Sequence, residues 1–79
     1  MTSTAFQILT MEEKIDHLSD AGVFLMSRDT LFHNVFLYGY EGIYVEVFYL
    51  KLTTAVDKIE VLRDEKILNI YLGKINLSF

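Results

Sequence analysis

Alternating hydrophobic positions predict a β-hairpin over residues 34–52. Two runs rich in β-branched and aromatic residues flank a turn at Tyr40-Glu41-Gly42, and such residues favour strands. Seven of the chain's eleven aromatic residues lie between Phe32 and Tyr49, so most of the largest apolar side chains belong to this hairpin. We therefore expect the other segments to cover the hairpin or to extend its sheet.

The two faces of the predicted hairpin differ in composition. Successive side chains of a strand point to opposite faces, and this alternation assigns a mainly aliphatic set to one face: Val35, Leu37, Ile43, Val45, Val47 and Tyr49. The opposite face then carries aromatic side chains around a single carboxylate: Phe36, Tyr38, Tyr40, Tyr44, Phe48 and Glu46. Because an antiparallel sheet usually has a polar face towards solvent, this aromatic face is the predicted interaction surface.

A helix is predicted over residues 10–21. Thr10 and Glu13 have the spacing of a capping box, in which each side chain accepts a hydrogen bond from the other residue's backbone N–H. An apolar stripe follows at helical spacing, formed by Met11, Ile15 and Leu18. Gly22 is expected to end the helix in the left-handed conformation that glycine adopts easily.

The remaining segments complete an α+β fold. Residues 58–63 are predicted to form a strand with Ile59 and Val61 facing the core, and residues 23–28 to form a further short strand, although a continuing helix is the alternative there. Asp64 is placed to cap a second helix over residues 65–74, and residues 1–9 are expected to be a flexible or docking tail. The prediction is a two-layer sandwich: an antiparallel meander of three or four strands, with an N-terminal and a C-terminal helix on its aliphatic face.

Composition narrows the functional classes. The chain has 79 residues, a 52% hydrophobic content and a net charge of −4, so we expect one small domain with apolar side chains left at the surface. Its scattered basic residues argue against binding to nucleic acids or to anionic membranes. Because the sequence shows no targeting signal and contains no cysteine, we expect a cytoplasmic protein without disulfides.

Few residues suggest catalysis or metal binding. His17 and Asp20 lie one helical turn apart, but further ligands for a metal are not evident. His33 with Asp29 lacks an activated nucleophile. Glu46 is the best single polar candidate, and an ordinary pairing with Lys58 across the strands explains it more simply. We therefore predict no catalytic residue, no cofactor and no metal ligand.

The predicted aromatic face leads to the functional hypothesis. It is either covered from within the chain, paired with a second copy, or open to a partner. The leading hypothesis is a non-catalytic interaction or structural module that forms a homodimer through this face or binds another protein. One alternative is a small-ligand binder or enzyme with a site around Glu46 and the sheet tyrosines. Another is an inhibitor or immunity-type partner of a second protein.

Overall fold

Two helices precede a four-stranded antiparallel sheet. The computed structural model describes residues 2–63, and these form α1 (Ser3–Gln7), α2 (Met11–Ala21), β1 (Val23–Asp29), β2 (His33–Tyr40), β3 (Ile43–Leu50) and β4 (Val56–Leu62). The strands lie in the order β1-β2-β3-β4, each antiparallel to the next. The predicted α+β meander is confirmed, and residues 23–28 form a strand, β1, so the described sheet has four strands. The helix predicted for residues 65–74 lies outside the described residues.

The N-terminal segment contains a short helix, α1, where the sequence predicts a tail. The hydroxyl oxygen of Thr2 accepts a hydrogen bond from the Ala5 N–H at 3.1 Å, which caps the first turn. Phe6 is buried in the core, with its ring centroid 5.6 Å from that of Tyr40. Burial of this aromatic ring holds the segment against the sheet.

Helix α2 begins with the predicted capping box. The Thr10 N–H donates to a carboxylate oxygen of Glu13 at 2.8 Å, and the Glu13 N–H donates to the Thr10 hydroxyl oxygen at 3.1 Å. The hydrogen bond from the Thr10 N–H is the main reason why the pKa of Glu13 lies below its ordinary value. Leu18 and Ile15 pack into the core, whereas Met11 remains exposed.

Gly22 ends α2 in a different way from the prediction. Its backbone is extended, with φ −75° and ψ 145°, so the expected left-handed conformation is wrong. A Cβ atom at this position would lie 2.6 Å from the carbonyl oxygen of Leu18. Glycine is needed here because the chain passes very close to the end of the helix.

A two-residue turn sets the register between β2 and β3. Tyr40 pairs with Ile43, and the two residues between them, Glu41 and Gly42, have φ angles of 45° and 82°, as two-residue hairpin turns require. The three-residue turn predicted from the sequence would pair Gly39 with Ile43 instead. A shift of one residue moves one strand's side chains to the other face relative to its neighbour, so the predicted division into an aliphatic and an aromatic face is wrong.

Both described helices pack on one face of the sheet, here called the helix face. Its core joins α1 and α2 to three strands through Phe6, Leu18, Tyr40, Val45, Val47 and Ile59, with Val61 partly buried beside them. The predicted inward orientation of Val45, Val47, Ile59 and Val61 is therefore confirmed. The opposite face, here called the outer face, carries Val35 and Leu37, which the predicted alternation places towards the helices.

Candidate functional site

The six residues of the predicted interaction surface lie on two different faces. Strand pairing places Phe36, Tyr38 and Tyr40 opposite Val47, Val45 and Ile43, so these three aromatic residues belong to the helix face. The other three lie on the outer face: Tyr44, Glu46 and Phe48. The prediction that all six form one surface is therefore wrong, and each half has to be considered separately.

Glu46 forms an ion pair on the outer face. Its side chain is only 2% exposed. One of its carboxylate oxygens accepts a hydrogen bond from Nε of Arg28 at 3.0 Å and lies 2.9 Å from Nη2 of the same guanidinium group. The predicted pairing with Lys58 is wrong, because the Lys58 ammonium group lies over the ring of Phe48 and pairs with Glu60 at 3.3 Å. Charged groups become buried when they are paired and hydrogen-bonded, so the position of Glu46 is that of a structural ion pair.

His33 connects two strands that are not neighbours in the sheet. Its Nε2 atom lies 2.8 Å from a carboxylate oxygen of Asp57 in β4, and its ring contacts Phe48 edge-on at 5.6 Å. Asp29, the partner considered for His33 in the sequence, binds Lys51 at 3.2 Å. His33 thus pairs with Asp57 rather than serving as part of the dyad considered with Asp29.

His17 binds a buried tyrosine. Its Nδ1 atom lies 2.7 Å from the hydroxyl oxygen of Tyr40, which joins α2 to the end of β2. Burial raises the pKa of Tyr40, and the nearby carboxylates of Glu41 and Asp20 raise it further. Within residues 2–63, no three His, Cys, Asp or Glu side chains form a group that could hold a metal ion.

A partly exposed aromatic cluster lies on the helix face beside α2. We define the aromatic cluster as Phe24, Phe36, Tyr38 and Tyr49. Phe24 packs edge-on against Phe36 and Tyr38 with ring centroids 5.6 and 5.8 Å apart, and Phe36 lies 5.2 Å from Tyr49. The Phe24 side chain is 53% exposed although it contacts two other rings. A recess of about 310 Å³ separates the cluster from α2 and is lined in part by Ile15, Leu18, Phe24, Tyr38, Val47 and Tyr49.

Two members of the aromatic cluster were missed in the sequence. The alternation of the sequence places Tyr49 on the predicted aliphatic face with Val45 and Val47, and the structure confirms that these three residues share a face. Phe24 lies in residues 23–28, for which the sequence allows either a strand or a continuing helix. The sequence feature that indicates the cluster is the Glu41-Gly42 pair, because a two-residue turn at these residues places the aromatic side chains of β2 beside Tyr49.

A second apolar patch lies where two loops meet at one end of the sheet. Leu31 and Phe32 in the β1–β2 connection and Leu52 in the β3–β4 connection are largely exposed, with Leu52 at 98%. The Lys51 N–H donates to the Phe32 carbonyl oxygen at 2.9 Å, which ties the two loops together. These side chains border a recess of about 440 Å³.

Comparison of the chain with protein-family models, curated proteins and solved structures gave no significant match. In the described part of the chain, no helix has both the length and the apolar character needed to cross a membrane.

Proposed function

We propose that this chain is a non-catalytic protein-interaction module that self-associates through the aromatic cluster. The observation that carries the proposal is the exposure of Phe24, at 53%, at the margin of a cluster of four aromatic side chains. Exposed apolar patches of this kind mark interaction sites, and aromatic residues are enriched in the buried centres of protein interfaces.

The electrostatic character of the aromatic cluster suits contact with a second copy. Phe24 and Phe36 have no ionisable group, and burial raises the pKa of Tyr38 above its already high ordinary value, with Tyr49 raising it further. The whole chain has a net charge of −4, so two copies repel one another at long range. Contact through a neutral aromatic surface keeps that repulsion away from the interface itself.

The alternative of a ligand or enzyme site at Glu46 and the sheet tyrosines has less support. Glu46 is buried on the outer face with Arg28 as its partner, while Tyr38 and Tyr40 lie on the helix face. These two tyrosines and Glu46 lie on opposite faces of the sheet, so they do not border one cavity, and Tyr44 is the tyrosine that shares the outer face with Glu46.

Light scattering after size-exclusion chromatography, over roughly a hundredfold range of concentration, tests the proposal. We expect a particle of twice the 9.2 kDa chain mass at high concentration. Phe24→Ser should weaken the association at least tenfold, which corresponds to about 1.4 kcal/mol. Leu52→Ser is the matched control, because it replaces another exposed apolar side chain with the same residue in the loop patch, outside the aromatic cluster.

Circular dichroism of both variants checks that the sheet remains folded. A wild-type chain that stays monomeric at every concentration would refute self-association. A dimer that dissociates in Leu52→Ser and persists in Phe24→Ser would move the interface to the loop patch and refute the role of the aromatic cluster.

A further inference from the structure

The first part of β1 is an apolar edge of the described sheet. β1 pairs only with β2 there, and an edge strand presents unpaired backbone groups along its outer side. Three consecutive side chains at its start are exposed: Val23 at 61%, Phe24 at 53% and Leu25 at 46%. Residues 23–27 include no charged residue and no proline.

The edge at β4 differs from the edge at β1. β4 exposes Asp57, Lys58 and Glu60, and the last two form a salt bridge of 3.3 Å. Charged side chains on an edge strand oppose pairing with another strand. Along residues 23–27, by contrast, the one feature that opposes pairing with another strand is a β-bulge between Phe24 and Met26. The bulged residue, Leu25, is itself apolar.

Two recesses border β1. On the helix face, the recess of about 310 Å³ is bordered by Phe24 and Tyr38. A second recess, of about 380 Å³, lies at the end of the sheet beside the β2–β3 turn and is bordered by Val23, Leu25 and Gly42. An incoming strand places successive side chains on alternate faces, so one added strand directs side chains to both faces of β1, next to the residues that border these recesses.

β1 itself has side chains suited to both recesses. Phe24 pairs with Tyr38 on the helix face, whereas Val23 pairs with Gly39 on the outer face. Leu25 also lies near Gly39 on that side, since a Cβ built on Gly39 would be 3.5 Å from a methyl carbon of Leu25. The same strand therefore provides the apolar side chains and borders the spaces that accept them, as a self-complementary interface requires.

We propose that two copies of this chain pair antiparallel through residues 23–27 of β1, so that their eight described strands form one continuous sheet. This inference rests on the proposed self-association and specifies its geometry. A two-fold axis perpendicular to the sheet makes the paired strands antiparallel and keeps both helix faces on the same side. The two aromatic clusters then lie next to each other across the axis.

Distance measurement between spin labels tests this geometry. Because the chain contains no cysteine, Ser27→Cys and Glu60→Cys each introduce a unique labelling site, the first in β1 and the second in β4. In the proposed dimer, the two β4 strands are seven strand spacings apart, or about 34 Å at about 4.8 Å each. The Ser27→Cys labels lie near the shared edge, and we expect their separation to be below about 20 Å.

Leu25→Lys provides the second test, because a charge at the edge opposes strand pairing. We expect it to weaken dimerisation at least tenfold with an unchanged circular dichroism spectrum, while Leu52→Lys, the matched control, leaves dimerisation unchanged. A dimer in which the Ser27→Cys labels are as far apart as the Glu60→Cys labels would overturn edge pairing and leave self-association standing. A Leu25→Lys variant that dimerises like the wild type would also overturn edge pairing and leave self-association standing. A wild-type chain that stays monomeric would overturn both proposals.

Discussion

Replacement of Gly22 by alanine tests whether a close backbone approach decides the residue at the end of α2. At φ −75° and ψ 145°, alanine can adopt the backbone conformation of Gly22 without strain. On conformation alone, Gly22→Ala should stabilise the protein by about 0.4–1 kcal/mol, because alanine lowers the entropy of the unfolded chain. The close approach to Leu18 instead predicts that Gly22→Ala destabilises the protein.

The magnitude follows from the geometry around Leu18. A Cβ on residue 22 would lie 2.6 Å from the Leu18 carbonyl oxygen and 3.1 Å from its Cα, both backbone atoms. The same oxygen accepts the Gly22 N–H at 2.8 Å, so relief of the contact also disturbs this hydrogen bond. Overpacking costs about 1–3 kcal/mol and a hydrogen bond contributes about 0.5–1.5 kcal/mol. The net expectation for Gly22→Ala is a loss of about 2 kcal/mol after the entropic gain is subtracted.

Urea denaturation measures the change, with Gly39→Ala as the matched control. A Cβ on Gly39 would meet a methyl carbon of Leu25 at 3.5 Å, which is an ordinary contact, so we expect this variant to equal or slightly exceed the wild type in stability. The midpoint for Gly22→Ala should fall at an unchanged slope. If Gly22→Ala were as stable as Gly39→Ala, the close approach would not be the reason for glycine at this position.

Two further predictions concern the ion pairs and the buried tyrosine. A double-mutant cycle on Arg28 and Glu46 should give a coupling energy of about 1.5–3 kcal/mol, because their hydrogen bond joins two charged groups in a shielded position. The same cycle on the exposed pair Lys51 and Asp29 should give a coupling energy below about 1 kcal/mol. Equal coupling energies for the two pairs would show that burial does not strengthen the Arg28–Glu46 pair. The folded protein holds the Tyr40 proton more tightly than the unfolded chain does, since the pKa is raised. This stabilising contribution is complete below about pH 10 and is lost as the pH rises further, so Tyr40→Phe should reduce the alkaline fall in the urea midpoint, and an unchanged fall would refute this reasoning.

Much of the fold could be predicted because its signals are local. The capping box depends on Thr10 and Glu13, three residues apart, and its hydrogen bonds form within one helical turn. The strands follow from stretches of β-branched and aromatic residues. Short connections between such stretches favour antiparallel neighbours, so the meander order also follows from the sequence.

The candidate site was harder to predict because it depends on register. Period-two alternation shows which residues of one strand share a face, but it does not show which face of the next strand they join. That relation depends on whether the turn at Glu41-Gly42 contains two residues or three. One residue of difference moved Phe36, Tyr38 and Tyr40 away from Glu46 and Phe48 and beside Val45 and Val47.

The sequence by itself determined the class of the protein: a small α+β chain whose aromatic residues concentrate in one hairpin. Propensity, capping and alternation act over a few residues, so they can be recognised without knowledge of the fold. Only the tertiary structure decided that Arg28 pairs with Glu46, that Phe24 joins the aromatic cluster, and that Gly22 passes close to Leu18. These contacts depend on strand register and on the angle at which the chain leaves α2, and both are set when the elements pack together.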